Sequence, residues 1–196
     1  MGFFGQAVYS RVAVAVKQNV RAPFEISNLY KDESRMTPFI LLQNAGFEIK
    51  IEEESDSFKV SGNPVCKEVH DISANKNQVA EIIDEIPFIA FMVAHAGGTF
   101  TVRGASWLRN KESDRISESV KRFSLTHETE EFADGFRVSG EAKHALKGDI
   151  PHSSDHRMEM LSSFVSQDSG CYFKMNDSYK ISFPRFYELF KYLKND

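Results

Sequence analysis

Hydrophobic residues in this chain follow one pattern that occurs three times: an apolar helix, a short turn and then a strand. Each predicted helix is a run of mostly apolar residues, and each following strand is marked by a phenylalanine. The helices and their strands fall at residues 9–16 and 23–26, 87–94 and 100–103, and 158–165 and 172–175. We expect Phe24, Phe100 and Phe173 at equivalent places in three superposable units.

A second repeat follows the first two of these strands. Residues 58–62 read Phe-Lys-Val-Ser-Gly, and residues 136–140 read Phe-Arg-Val-Ser-Gly. In both segments Phe and Val alternate with charged or polar residues, which predicts half-buried strands that end at their glycines. A charged segment at residues 31–35 precedes one predicted helix, as residues 111–115 precede another.

The repeats predict an α/β fold with a single domain, residues 1–196, and internal pseudo-threefold symmetry. Each unit contains a helix, a strand, a second helix and further strands, and the third unit stops after a helix at residues 186–193. The boundaries near Lys76 and Gly148 have no Pro-, Gly- or Ser-rich stretch. They are therefore expected to divide repeats rather than separate domains.

Charge and cysteine content exclude several classes of protein. A formal net charge of −4 and a pI near 5.9 argue against nucleic-acid binding, which usually needs a basic face. Cys66 and Cys171 form no C-x-x-C pair and the six histidines are scattered, so no metal site is expected and a reducing compartment is favoured. No apolar run has the length of a membrane span or the features of a signal peptide. We expect a soluble, cytoplasmic protein.

The densest charge lies in residues 108–116, Leu-Arg-Asn-Lys-Glu-Ser-Asp-Arg-Ile, where five of the nine residues are charged. Lys111, Glu112 and Arg115 place an ammonium, a carboxylate and a guanidinium around one turn. Such a set can hold a multiply charged anion and supply a group for proton transfer. Taken alone, the segment is more simply interpreted as a surface ion-pair cluster.

Acidic residues also stand where two of the apolar helices begin. Asp84 precedes the second helical segment and Asp155 the third, and helix N-termini attract anions. An N-cap explains Asp155 well but explains Asp84 only in part. Arg157 comes just before an apolar stretch, a costly place for a cation unless an anion meets it. His156 is more simply a packed histidine than a catalyst.

Three motifs together give the chain a family resemblance. They are Ile-Ile-Asp-Glu-Ile-Pro at residues 82–87, the charged segment at 108–116, and Ser-Asp-His-Arg-Met-Glu-Met at 154–160. In order and spacing they resemble the C-terminal half of the 5-enolpyruvylshikimate-3-phosphate synthases (3-phosphoshikimate 1-carboxyvinyltransferases). The resemblance reaches nearly both ends of the chain. It implies one of two similar domains, each an inside-out α/β barrel of three βαβαββ units with its helices inside, which bind substrates between them.

The resemblance also implies an activity and a role for each motif residue. Family members transfer the enolpyruvyl group of phosphoenolpyruvate to the 5-hydroxyl of shikimate 3-phosphate and release phosphate, with no metal or organic cofactor. By that pattern, Asp84 binds the 5-hydroxyl and accepts its proton, and Glu112 lies beside the phosphoenolpyruvate methylene. Lys111 would contact shikimate 3-phosphate. Arg115 and Arg157 would hold phosphoenolpyruvate.

Three departures from the family pattern limit what it implies. Ile181 stands where many members have a substrate-contacting lysine, with Lys180 one residue earlier and expected to point elsewhere if the segment is extended. Trp107 stands where others often carry a polar side chain. The family's N-terminal domain is absent from this sequence, so we expect the chain alone to be inactive. Two alternatives stay open: a non-catalytic remnant or binding module, and one chain of a split enzyme.

Overall fold

The computed structural model describes residues 23–66, 68–142 and 149–195. In that part of the chain, seven strands form two sheets and six α-helices pack on them and on one another. The strands are β1 Phe24–Tyr30, β2 Phe47–Glu53, β3 Ser57–Cys66, β4 Ile72–Ala74, β5 Phe100–Val102, β6 His127–Phe132 and β7 Gly135–Ala142. The α-helices are α1 Thr37–Asn44, α2 Lys76–Glu81, α3 Ile86–His95, α4 Arg115–Phe123, α5 His156–Ser169 and α6 Phe186–Asn195. Short 3-10 helices occupy Glu33–Met36, Ser106–Asn110 and Asp177–Ile181.

Each sheet contains one of the two repeated Phe-x-Val-Ser-Gly stretches. β1, β3 and β2 form an antiparallel sheet in that spatial order. In the second sheet the order is β4, β5, β7 and β6, with β4 and β5 parallel and the other pairs antiparallel. Residues 58–62 lie in β3 and residues 136–140 in β7, both inner strands, so the prediction of strands at the two stretches is confirmed.

Gly62 and Gly140 lie inside these strands, and the expectation that they end them is wrong. A Cβ on Gly140 would stand 2.0 Å from the carbonyl carbon of Gly97. A Cβ on Gly62 would stand 2.2 Å from the carbonyl oxygen of Glu48. Because another backbone segment approaches each position too closely for a side chain, packing rather than strand termination requires these glycines.

The strand register differs between the two sheets. Val60 and Val138 occupy the same position of the sequence repeat, yet Val60 lies opposite Ile26 while Val138 lies opposite Phe100. Phe24 is therefore two residues away from the place that corresponds to Phe100, so their expected equivalence is wrong. The pattern of apolar residues located the strands but not their pairing, because either register keeps the same face buried.

Residues 172–175 do not form the expected third strand. Tyr172 makes only an isolated parallel bridge with Asp149, and Phe173 lies beyond it. β5 pairs with β4 on one side and β7 on the other, whereas this bridge is the one sheet contact of residues 172–175 within the described part of the chain. A lone short pairing does not sustain a strand. The helix expected at residues 9–16 and the boundary expected near Gly148 lie outside the described residues.

The core is built around α3, in which every residue from Ile86 to Ala94 is buried. A helix that is apolar on all sides belongs in the interior of a domain. Phe88 and Phe91 of α3 pack on Phe164 of α5, with ring centroids 6.3 and 5.7 Å apart. Helix α4 packs on α5 in turn. This arrangement brings the beginnings of three helices together, and the predicted site residues lie there.

Candidate active site

Acidic residues stand at the beginnings of α3, α4 and α5, but only two of these helices are capped by an acidic side chain. Asp114 caps α4 by accepting the backbone N–H of Ser117 at 3.0 Å. Asp155 caps α5 by accepting the backbone N–H of Arg157 at 2.9 Å, as expected for that aspartate. At the start of α3 the N-cap position belongs to Glu85, and no side chain caps that helix. Asp84 is therefore not a cap, and its carboxylate binds other partners.

Arg115 is the centre of the cluster, and its side chain is 1% exposed. Its Nε donates to Asp155 Oδ2 at 2.7 Å and its Nη1 donates to Asp84 Oδ1 at 2.9 Å. A third bond runs from Nη2 to Glu112 Oε2 at 2.5 Å. One guanidinium thus joins residues that precede α3, α4 and α5. A buried cation is stable when it is surrounded in this way by hydrogen-bonded carboxylates.

The charges of Arg115 and Asp155 stabilise each other. Burial alone would raise the pKa of the Asp155 carboxyl, but the hydrogen bond and the charge of Arg115 outweigh burial and lower that pKa. Burial would likewise lower the pKa of Arg115, and its bonds to Asp155, Asp84 and Glu112 instead raise it. The fully buried pair is therefore an ion pair, and it fixes α4 against α5 at the site.

Arg157 has hydrogen-bond donors that no other group at the site accepts. Its Nη2 lies 2.8 Å from Asp84 Oδ2, so Asp84 bridges the two arginines. Its Nε and Nη1 are buried and have no hydrogen-bond partner. Unpaired buried donors are costly, and on a guanidinium they suit a carboxylate or a phosphate. Burial, followed by repulsion from Arg115, lowers the pKa of Arg157, and a bound anion would offset both effects.

Lys111 and Glu112 lie on the segment between the 3-10 helix Ser106–Asn110 and α4. Both are exposed, apart from the bond of Glu112 to Arg115. The ammonium of Lys111 stands 5.7 Å from the centre of the Trp107 ring, within the range of a cation–π contact. Four of the five predicted site residues are thus joined by direct contacts, and Lys111 adjoins them in the chain.

A third arginine, Arg109, holds this exposed segment against the end of β6. Arg109 Nη1 lies 2.8 Å from Asp114 Oδ2 and 2.9 Å from Glu131 Oε1. Its Nη2 donates to the carbonyl oxygen of Phe132 at 2.6 Å. Arg109 and Asp114 flank Lys111 and Glu112 in the chain. Their contacts with each other and with Glu131 and Phe132 therefore anchor this segment to the end of β6.

Glu85, next to Asp84, is a titratable group that the sequence did not single out. Burial raises its pKa to about 7; the charge of Arg157 lowers it and that of Asp84 raises it further. The acidic doublet at a helix start was the available signal. Other acidic doublets occur at residues 32–33 and 130–131, so a doublet alone does not single out Glu85.

We predict that Glu85→Gln stabilises the chain at neutral and higher pH. Between pH 4.5 and about 7 the folded chain keeps a proton that the unfolded chain loses, so this group lowers stability as the pH rises. The variant should exceed the parent in unfolding free energy by roughly 2–3 kcal/mol above pH 7 and by little near pH 4. Urea unfolding across this range measures it. Glu130→Gln, on the exposed side of β6, is the matched control, and equal effects of the two substitutions would refute the prediction.

Two further residues behave differently from each other. His156 is packed in the interior, as expected, and burial followed by the charge of Arg157 lowers its pKa. Lys180 lies on the 3-10 helix Asp177–Ile181, not on the extended segment considered from sequence, and its ammonium pairs with Asp177 Oδ2 at 2.9 Å. The neighbouring Ile181 is 72% exposed. No contact joins Lys180 to the Arg115 cluster among the described ion pairs.

Metal sites and membrane-spanning helices are both absent from residues 23–66, 68–142 and 149–195. No group of three His, Cys, Asp or Glu side chains there is arranged to hold a metal ion. None of the helices in these residues combines the length and the apolar character that crossing a bilayer requires.

Solved structures define the class to which this fold belongs. EPSP synthase from Acinetobacter baumannii superposes with a TM-score of 0.77 at 22% identity, covering 95% of this chain and 45% of that one. The enolpyruvyl transferase NikO from Streptomyces tendae superposes with a TM-score of 0.66 at 16% identity, covering 95% and 42%. The chain therefore has the α/β fold found in enolpyruvyl transferases.

Sequence comparison narrows the class to one family. The family model for EPSP synthase (3-phosphoshikimate 1-carboxyvinyltransferase) matches residues 5–190. The 3-phosphoshikimate 1-carboxyvinyltransferase of Thermotoga sp. (strain RQ2) is 34% identical over 196 aligned residues, 96% of this chain and 45% of that protein. The enzyme of the same name from a Nitratiruptor species is 30% identical, and the match covers 90% of this chain and 41% of that protein. The chain belongs to the EPSP synthase family, and it spans about half the length of these relatives.

Proposed function

We propose that this chain supplies one half of an active site that transfers the enolpyruvyl group of phosphoenolpyruvate to the 5-hydroxyl of shikimate 3-phosphate, releasing phosphate. The observation that carries the proposal is Arg157, a buried guanidinium with two unpaired donors that shares Asp84 with Arg115. The site combines an anion-binding cation with a carboxylate suited to proton transfer. Family membership supports the choice of reaction.

Arg157 is the first residue expected to bind the anion. Its free Nε and Nη1 can donate to the carboxylate or to the phosphate of phosphoenolpyruvate. Arg115 already binds three carboxylates, so it can contact phosphoenolpyruvate only if one of them moves away. Glu112 is the exposed partner of the three and is the one we expect to move. Its release would also free a carboxyl group beside the substrate.

Proton transfer falls to Asp84 and Glu112. The 5-hydroxyl oxygen attacks C2 of phosphoenolpyruvate while its proton passes to Asp84, and C3 receives a proton from Glu112. The tetrahedral intermediate then expels phosphate, which takes up the proton held by Asp84, as the methyl group returns a proton to Glu112. Two guanidinium groups hold Asp84 in place. Its side chain is 37% exposed, so the hydroxyl can reach it. Lys111, exposed beside Trp107, would bind shikimate 3-phosphate.

The remaining contacts would come from an N-terminal domain. Glu112 and Lys111 face solvent, and a site open to water cannot enclose two charged substrates. We therefore infer that the chain works with a second domain, either in the same protein or as a separate chain. We also infer that the whole domain is an inside-out barrel of three units with its helices inside, which the buried helix α3 supports. A cytoplasmic location stays a prediction from the two free cysteines.

A titration of the ¹⁵N-labelled chain with phosphoenolpyruvate tests the anion site, with the Arg157 Nε–H signal as the probe. Because the two donors are already buried and unpaired, we expect saturable shifts with a Kd near 1 mM, or about −4 kcal/mol. Arg157→Met should abolish the saturable binding. Arg137→Met, on the exposed face of β7, should not change it. Binding that survives Arg157→Met, or the absence of binding by the parent chain, would refute this assignment.

A further inference from the structure

Helices α4 and α5 contact each other at three levels along their length. Arg115 binds Asp155, the hydroxyl of Ser119 reaches Met158 Sδ at 3.8 Å, and Arg122 binds Ser162. The residue separations of these pairs are 40, 39 and 40. Nearly constant separations mean that the two helices run in the same direction and in register. The first level is the catalytic cluster, and the last is two helical turns below it.

Arg122 uses its whole guanidinium at the last level, where its side chain is 1% exposed. Its Nε donates to Ser162 Oγ at 2.7 Å, and its Nη1 donates to the carbonyl oxygen of Glu118 at 3.1 Å. Its Nη2 donates to the carbonyl oxygen of Pro151 at 3.0 Å, in the loop that leads into α5. The Glu118 carboxylate lies 3.0 Å from Nη1 and supplies a counter-charge. Burying an arginine is costly, and the mechanism above makes no use of this one.

The loop that Arg122 holds leads directly to the cap of α5. Glu159, whose side chain is fully buried, accepts the backbone N–H of Ser153 at 3.1 Å and that of Asn176 at 2.7 Å. The hydroxyl of Ser153 accepts the backbone N–H of Asp155 at 3.1 Å. Arg122 and Glu159 thus fix both the start of the loop and its middle. Because Asp155 and Arg157 come directly after this loop, fixing the loop also fixes the positions of these two residues.

We propose that Arg122 is a positioning residue: it sets the register of α4 against α5 and thereby holds Arg115 on Asp155 and Arg157 on Asp84. The planar guanidinium is needed because it donates in three directions at once: to its own helix α4, to the facing helix α5 and to the loop before α5. The consequence for catalysis rests on the proposed function. The consequence for the geometry of the cluster does not.

The test compares Arg122→Met, which keeps an unbranched apolar side chain, with Lys121→Met, an exposed neighbour on the same helix. The readout is the Nε–H signal of Arg115 in the ¹⁵N-labelled 196-residue chain. This measurement needs no substrate and so is independent of the proposed function. In Arg122→Met we expect solvent exchange of this proton to accelerate at least about tenfold, because its bond to Asp155 opens more often. Lys121→Met should stay within about twofold of the parent.

Two more variants complete the test. Arg122→Lys should fail to restore the slow exchange, since an ammonium cannot reach three acceptors in one plane. Ser162→Ala removes one acceptor, should keep the fold, and should accelerate exchange about threefold, so it decides the question if Arg122→Met does not fold. If folded Arg122→Met or Ser162→Ala leaves the Arg115 signal unchanged while only global stability falls, Arg122 is merely structural and the proposal is overturned.

Discussion

Replacing Asp84 with asparagine should lower turnover by between about a hundredfold and about ten-thousandfold, the range expected when a general base is lost. The substitution keeps the shape of the side chain but removes the carboxylate that lies between Arg115 and Arg157. The assay uses a chimera in which this chain replaces the matching 45% of the Thermotoga relative, so that the rest of that protein supplies the proposed second domain. Release of phosphate from phosphoenolpyruvate in the presence of shikimate 3-phosphate measures the rate.

Lys180→Ala is the matched control in the same chimera. Its ammonium is exposed and pairs with Asp177, so we expect a change of less than about twofold. A large loss with Lys180→Ala would mean that the ammonium leaves Asp177 and reaches the substrate. Full activity of Asp84→Asn would remove Asp84 from the role of base.

Asp155→Asn should cause the largest loss of stability among single changes at the site. Asparagine caps a helix as well as aspartate does, so the substitution isolates the charge. Arg115 would lose its fully buried partner but keep Asp84 and Glu112, and we expect a cost of about 2–4 kcal/mol in unfolding free energy. Urea unfolding at pH 7 measures this cost.

The control for Asp155 is Asp114→Asn, because Asp114 also caps a helix and pairs with an arginine but is far more exposed. It should cost less than about 1 kcal/mol. The effect of Asp155→Asn should also depend on pH. Folding lowers the pKa of Asp155, so its contribution is complete above the unfolded value of 3.8 and is lost as the pH falls through the folded value. A cost of Asp155→Asn equal to that of Asp114→Asn would contradict the account.

Local features of the fold could be predicted because local patterns determine them. Alternation of Phe and Val with charged residues identified β3 and β7, and an unbroken apolar run identified α3. Strand pairing was not predictable in the same way. The offset of Phe24 relative to Phe100, and the absence of a strand at Phe173, depend on which partner strands are present.

The sequence motifs predicted which side chains cluster but not how those side chains pair. The motifs named Asp84, Glu112, Arg115 and Arg157, and the fold joins all four. The ion pair of Asp155 with Arg115 was missed, because a helix cap shows no sequence sign of a second partner 40 residues away. For the same reason nothing in the sequence indicated that Arg115 is saturated with carboxylates while Arg157 is not.

The most direct test of the central claim, that this chain carries half of an enolpyruvyl transferase site, is a comparison of turnover by the chain alone and by the chimera. Both are given phosphoenolpyruvate and shikimate 3-phosphate, and the amounts of enolpyruvyl product and of phosphate are measured in the same assay. We expect no detectable product from the chain alone, and equal amounts of enolpyruvyl product and phosphate from the folded chimera. Turnover by the isolated chain at the chimera's rate, or a folded chimera that makes no product, would contradict it.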